Sequence, residues 1–340
     1  MIKVVTFGEI MMRLSPERYK RFVQAEKFNV TYGGAESNVA VSLAHFNIES
    51  TFVTKLPAHQ IGDAALNELR KFGVATQYIA RGGARLGIYY AENGASQRGS
   101  FVIYDRAGSS MQTAAASDFD WDNIFTDAKW FHFTGITPAL GDNIAAICLE
   151  ACKKAKAKKL TVSCDLNYRK KLWSAEKAGN VMSELMQYVD VCIANEEDAE
   201  NVFGIKGAHT DVTAGKLDKN DYEAVAEQLA NRFNFSQVAI TLRTSLSASD
   251  NKWAALLYDN KKFYYSKEYA IHIVDRVGGG DSFGAGLIYG NVMNFEPQKI
   301  VEFAVAASCL KQTIEGDFNH IAIEEVEKLM NGDASGRVSR

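Results

Sequence analysis

Short β-rich runs alternate with helix-patterned segments over most of this chain, and no other feature limits its possible folds so strongly. Strands joined through helices pair most readily in parallel, because each crossover returns the chain to the same edge of the sheet and then packs on its face. Candidate strands occupy 3–8, 50–55, 129–134, 160–165, 189–194 and 237–242. Helices are expected at about 35–46, 61–72, 142–158, 175–188 and 221–233, the second starting at Gly62-Asp63 and stopping at Gly73. With right-handed crossovers, the expected class is α/β: a doubly wound, mostly parallel sheet with helices on both faces.

Two stretches interrupt the alternation. Residues 10–33 and 76–105 read as strands without intervening helices, and 86–92, turning near Asn93-Gly94 and returning through 100–105, reads as a β-hairpin. A small separate β-sheet is therefore expected, from strands within about 10–33 and 76–110, serving as a lid over a site or as a cap on the core or on an oligomer interface. One domain is expected over 1–332, with an exposed loop at 205–220 and a flexible tail at 333–340.

The composition narrows the function. A net charge of -3 argues against a general nucleic-acid or membrane surface, so an arginine aimed inward becomes informative. The cysteines Cys148, Cys152, Cys164, Cys192 and Cys309 form no C-x-x-C pair and read as reduced core thiols; Cys148 and Cys152 share a helix face, but nothing completes a metal set. No apolar run reaches the ~18 residues that a membrane span needs. The chain opens on the strand-like Lys3-Val4-Val5-Thr6-Phe7 rather than on a signal peptide, so a cytoplasmic location is expected. His132 and His272 sit in strand-like apolar runs and read as core or boundary residues.

The strongest chemical signal is Asp275-Arg276-Val277-Gly278-Gly279-Gly280-Asp281-Ser282-Phe283-Gly284. Three glycines before a helix start let successive N–H groups turn toward one oxyanion, and the helix dipole adds partial positive charge. Asp281 would stand within reach of whatever attacks a phosphoryl group held there, although an aspartate after a glycine turn also serves as an ordinary helix cap. Position 283 is phenylalanine, so the G-x-G-x-x-G spacing of dinucleotide sites fails, and no G-x-x-x-x-G-K-[ST] occurs.

A second glycine pair, in Tyr32-Gly33-Gly34-Ala35-Glu36-Ser37-Asn38, precedes a helix with Asn38 in its first turn, which suits sugar hydroxyls or simply a tight turn. Together, the two glycine segments resemble the signature regions of the ribokinase-like (PfkB-type) carbohydrate kinases. The likeness extends over nearly the whole chain and includes Asn195-Glu196-Glu197-Asp198. It implies a doubly wound sheet with a small β lid, ATP and Mg2+ as cofactors, Asp281 as catalytic base, and the amides of Gly278, Gly279 and Gly280 as an anion hole. The acidic motif would place Asn195 near ATP and Asp198 near magnesium, indirectly.

Tyr90, Tyr104 and Arg106 in the hairpin, with Asp165-Leu166-Asn167-Tyr168-Arg169 after a central strand, bear on the substrate. Guanidinium groups at a pocket edge suit a carboxylate, although Arg106 could be a solvated hairpin residue and Arg169 a phosphate contact. These residues and Gly34 resemble the subgroup that phosphorylates 2-dehydro-3-deoxygluconate. That resemblance implies transfer to the C6 hydroxyl, with Gly34, Asn38, Tyr90, Tyr104, Arg106, Arg169, Asp281 and Asp317 around the sugar acid. It places ATP near Asn167, Arg169, Asn195, Thr241, Gly278 and Gly280. A homo-oligomer through the lid sheet is also implied. Arg276 stands where relatives often carry threonine, so activation by potassium is not expected, and Arg243-Thr244-Ser245 replaces a more glycine-rich nucleotide loop. A fructokinase-like or other sugar kinase of the same family, and a non-catalytic sugar-binding sensor, are the alternatives.

Overall fold

Successive side chains of the first strand, Lys3–Phe7, enter opposite cores: Val5 and Phe7 join one apolar cluster and Val4 another. The same division recurs at Phe131 and Phe133 against Trp130, at Cys192 and Ala194 against Val191 and Ile193, and at Val238 and Ile240 against Ala239. A strand apolar on both sides needs cover on both faces, which the helices supply. The computed structural model describes residues 2–207 and 219–333.

The main sheet of nine strands runs in the order Lys262–Tyr265, Asp250–Asp259, Gln237–Ser245, Val191–Ala194, Thr161–Asp165, Ala128–Thr134, Lys3–Phe7, Glu49–Val53, with Tyr269–His272 also paired to Asp250–Asp259. Pairing is parallel from Glu49–Val53 to Gln237–Ser245 and antiparallel beyond. All six expected parallel strands form, and the fold is the α/β class expected. The antiparallel edge was not anticipated, nor were the helices Glu196–Phe203, Pro297–Lys311 and Ile323–Met330.

Five expected helices appear as Ala35–His45, Gln60–Lys71, Asp142–Ala157, Ala175–Leu185 and Lys219–Phe233. The second begins earlier than Gly62-Asp63, because the His59 side chain caps it by accepting from the Ile61 N–H. It stops as expected, with Gly73 at φ 78°. All five cysteines are buried and unpaired. His132 is buried against Ser163, whereas His272 is an exposed residue bonded to Asp250 Oδ1 at 2.8 Å, since it lies on the outer edge strand. Residues 208–218 of the expected loop and 334–340 of the expected tail lie outside the described residues.

A separate four-stranded sheet has the order Asn29–Gly33, Met11–Ser15, Gly87–Glu92, Phe101–Asp105. Its register pairs Met11 with Gly87, Arg13 with Tyr89, and Tyr89 with Tyr104, so Arg13, Tyr89 and Tyr104 share one face while Tyr90 and Ile103 share the other. The carboxyl ends of the main strands, this sheet, and the starts of helices Ala35–His45 and Gly279–Val292 enclose one cleft of about 1600 Å³. No helix among the described residues is long and apolar enough to cross a membrane.

Candidate active site

The floor of the cleft is a helix start. Gly278 caps Gly279–Val292 in the left-handed conformation, φ 82° and ψ -3°, and a Cβ there would collide with the carbonyl oxygen of Asp317. Only glycine meets both conditions. The first-turn N–H groups of a helix have no intrahelical acceptor, and around Gly280 the position of an added side chain is open space. Gly278, Gly279, Gly280 and Asp281 all line the cleft. The arrangement presents main-chain donors, backed by the helix dipole, to an anion.

Asp281 lies in the first turn of that helix, and its Oδ2 accepts from Asn38 Nδ2 at 2.6 Å. Burial pushes the Asp281 carboxyl up to about 6, against the Asn38 hydrogen bond, which favours the ionised form; the Asp317 charge raises it further, while Arg169 and Lys311 lower it. The group is displaced upward, yet it remains mostly ionised at pH 7. Asn38 is itself held in place: its Oδ1 accepts from the Gly34 N–H at 3.3 Å, and Glu36 Oε1 accepts from Thr134 N, Thr134 Oγ1 and Thr137 Oγ1 at 2.9, 2.7 and 2.6 Å. Gly34 lines the cleft, and a Cβ on it would strike the Glu9 carbonyl oxygen.

The small sheet forms the wall. Tyr104 and Arg106 line the cleft, with the Arg106 guanidinium 5.6 Å from the centre of the Tyr104 ring. Arg106 is buried rather than solvated, and its Nε and Nη2 donate to Glu9 Oε2, the first at 2.9 Å; Ser109 donates to Glu9 Oε1. Glu9 was not expected, because it lies 97 residues from its partner. Tyr90 does not join the cleft. It packs against Phe22 and Phe28 on the opposite face of the sheet, and Tyr89 takes the place expected for it. The displacement is one residue, which in a strand reverses the side-chain direction.

Tyr89 donates to Asp317, and Arg13 Nη1 donates to the same carboxylate at 2.8 Å. Arg13 Nη2 also meets Asp275 Oδ2 at 2.8 Å, so one guanidinium, 2% exposed, ties the small sheet to the two loops that carry Asp275 and Asp317. Burial raises the Asp317 carboxyl, and Arg13 and the Tyr89 hydrogen bond oppose it. Breaking a buried pair of this kind costs about 3–5 kcal/mol, because it strands a charge. Arg13 looks unremarkable in sequence; a lone cation in an apolar strand was its only signal.

Asn167, Arg169, Asn195, Asp198 and Thr241 also line the cleft. Asn195 caps Glu196–Phe203 by accepting from Asp198 N at 2.7 Å, and Asp198 Oδ1 accepts from Tyr168 N at 3.0 Å. Burial lifts the Asp198 carboxyl to about 6, with Arg169 opposing, and lifts Asp165 well above its ordinary value. No group of three metal-ligating side chains occurs among the described residues. One or two carboxylates beside an anion hole still suit Mg2+, which keeps most of its water and binds substrate phosphates. Arg243 and Arg276 line the cleft as well, so the departures noted in the sequence add positive charge to it.

Residues 1–319 match the family described as pfkB family carbohydrate kinase. The chain is similar to the crystal structure of 2-dehydro-3-deoxygluconokinase from Thermotoga maritima: TM-score 0.94, 55% identity, and coverage of 97% of this chain and 98% of that one. It is 32% identical to 2-dehydro-3-deoxygalactonokinase of Haloferax volcanii over 98% of both chains. It is 24% identical to 2-dehydro-3-deoxygluconokinase of Bacillus subtilis, covering 95% of this chain and 94% of the relative.

Proposed function

The chain belongs to the pfkB family of carbohydrate kinases, and on that premise we propose that it transfers the terminal phosphoryl group of ATP to the C6 hydroxyl of 2-dehydro-3-deoxygluconate. The observation that carries this reading is the Asp281 carboxylate, held by Asn38 at 2.6 Å, in the first turn of a glycine-started helix within the cleft that Arg106 also lines. The two neighbours of highest identity reported above are named for 2-dehydro-3-deoxy sugar acids, differing between gluconate and galactonate. We assign the gluconate.

Phosphoryl transfer asks for positioning and charge stabilisation more than for covalent chemistry. Asp281 takes the proton of the C6 hydroxyl as its oxygen bonds to phosphorus, and the bond to the departing ADP oxygen breaks. Gly278, Gly279 and Gly280 turn their amides to the transferring group. Arg106 is positioned by Glu9 and offers the sugar-acid carboxylate its Nη1, which has no protein partner among the described residues. Tyr104, Tyr89, Gly34 and Asp317 line the sugar end. Asn167, Arg169, Asn195 and Thr241 face ATP. Magnesium, bound with the ATP phosphates, supplies charge neutralisation, and Asp198 is the residue that would hold it, through water. The small sheet acts as the lid, and its edge strand Phe101–Asp105, with Phe101 and Ile103 exposed, is the surface through which copies would associate.

The test is ADP release measured across 2-dehydro-3-deoxygluconate, its galactonate epimer, fructose and ribose, with wild type and Arg106→Ala. Turnover of the sugar acids, with a loss of about 100-fold in kcat/KM for the variant, is expected. Turnover of a neutral sugar that ignores the substitution would replace this reading with a fructokinase-like one. Thermal stabilisation by a sugar with no ADP formed would indicate a sensor.

A further inference from the structure

Lys311 is the last residue of helix Pro297–Lys311 and is 0% exposed, yet no carboxylate among the described residues lies within ion-pair distance of it. Its Nζ donates to the main-chain carbonyls of Gly316 at 2.6 Å and Ile314 at 3.3 Å. A buried ammonium without a contacting anion is costly, and an apolar side chain of the same length would fill the space more cheaply. Its location gives the charge a purpose. A Cβ on Gly278 would lie 3.1 Å from Lys311 Cε, so the side chain runs directly beneath the anion hole.

Two loops meet at this point. The Gln312 carbonyl accepts from the N–H groups of Val274 and Asp275, and Asp275 Oδ2 accepts from Gly316 N at 3.1 Å. The lysine therefore lies where the turn carrying Gly278 is stitched to the loop carrying Asp317. Lys311 acts on Asp275, Asp317 and Asp281, joining Arg13 at the first two and Arg169 at the third. Without Lys311, the paired loops would hold Asp275 and Asp317 against Arg13, and Asp281 would keep only Arg169 of the two cations that favour its ionised form. Main-chain carbonyls around one positive charge are also the ligand set by which proteins strip water from a free monovalent cation.

We propose that Lys311 is a tethered monovalent cation: its ammonium fills the carbonyl pocket beneath the anion hole, holds the Asp275–Gly278 turn against the 312–317 loop, and frees phosphoryl transfer from any need for a dissolved potassium or ammonium ion. It is a positioning residue, since it acts through the amides of Gly278–Gly280 and through the charge felt by Asp281. The proposal rests on the kinase reading for its turnover assay but not for its binding assay.

Two measurements test it. In wild type, replacing potassium by choline should leave kcat within about twofold, and stimulation of tenfold or more by potassium would overturn the proposal whether or not any variant folds. In Lys311→Met, kcat should fall about 100-fold in choline and recover at least tenfold with ammonium or potassium but not with choline, while the acid limb of its pH profile moves upward. A folded variant with undiminished kcat in choline, or with a loss that no small cation relieves, contradicts it. The thermal shift produced by ATP alone, without sugar, reads the same cation dependence. If wild type phosphorylates none of the sugar acids, the proposed function fails, while this binding readout still decides on Lys311.

Discussion

At the floor of the cleft the contacts are main-chain amides and a carboxylate at a helix start; along the small-sheet wall they are side chains whose direction depends on strand register. On the proposed function the floor should tolerate almost no change, because backbone position is the functional element there. Gly278 holds φ 82° with the Asp317 carbonyl against it, and Asp281 sits three residues further along the same rigid turn. The wall can accept side-chain exchange wherever the exchanged group keeps its face. In the proposed reaction, main-chain chemistry belongs to the transferring phosphoryl group, and side-chain chemistry to the sugar.

Substitutions on the two regions should separate accordingly. Gly278→Ala should have the largest effect, a fall of about 100-fold or more in kcat with a lower melting temperature, because it strains the left-handed turn and displaces the 317 loop. A variant with wild-type kinetics would mean that the amides do not hold the phosphoryl group. Next comes the pH dependence of the floor. The base form of Asp281 is lost as pH falls through about 6, so kcat/KM should drop roughly tenfold per unit below that point and stay level above it. Asn38→Leu removes the hydrogen bond that favours the ionised carboxylate, and the acid limb should then move to higher pH; an unmoved limb would break the link between Asn38 and the base. The smallest effect belongs to the wall. Tyr89→Phe should cost about tenfold in kcat/KM by leaving Asp317 one donor short, whereas Tyr90→Phe should change it by less than about twofold. The reverse order would restore Tyr90 to the site.

That last pair also shows where sequence reasoning stops. The glycine triplet and Asp281 are contiguous, and their chemistry follows from local backbone geometry, so they are legible in the chain. The run Gly87-Ile88-Tyr89-Tyr90-Ala91 is apolar or aromatic at every position, so alternation offers no phase, and the choice between the tyrosines requires the pairing of Tyr89 with Arg13 and Tyr104. Arg106 is visible as an arginine near a pocket, but its anchor Glu9 follows the first strand and meets it only after the small sheet folds over the main one. Lys311 reads as an ordinary basic residue at a helix end, favourable to the dipole, and nothing local reveals that it is fully buried. The parallel core was legible because strand and helix alternate there. The edge strands Asp250–Asp259, Lys262–Tyr265 and Tyr269–His272 follow one another without helices and carry no such rhythm.

The most direct measurement is the turnover of Asp281→Asn with 2-dehydro-3-deoxygluconate and ATP, alongside calorimetric binding of each ligand. Asparagine keeps the shape and the neighbour of the aspartate but cannot take a proton, so kcat should fall about 1000-fold while both ligands still bind within a few-fold of wild type. Turnover within tenfold of wild type would show that the hydroxyl loses its proton to some other group, and the reading of this cleft around Asp281 would be wrong.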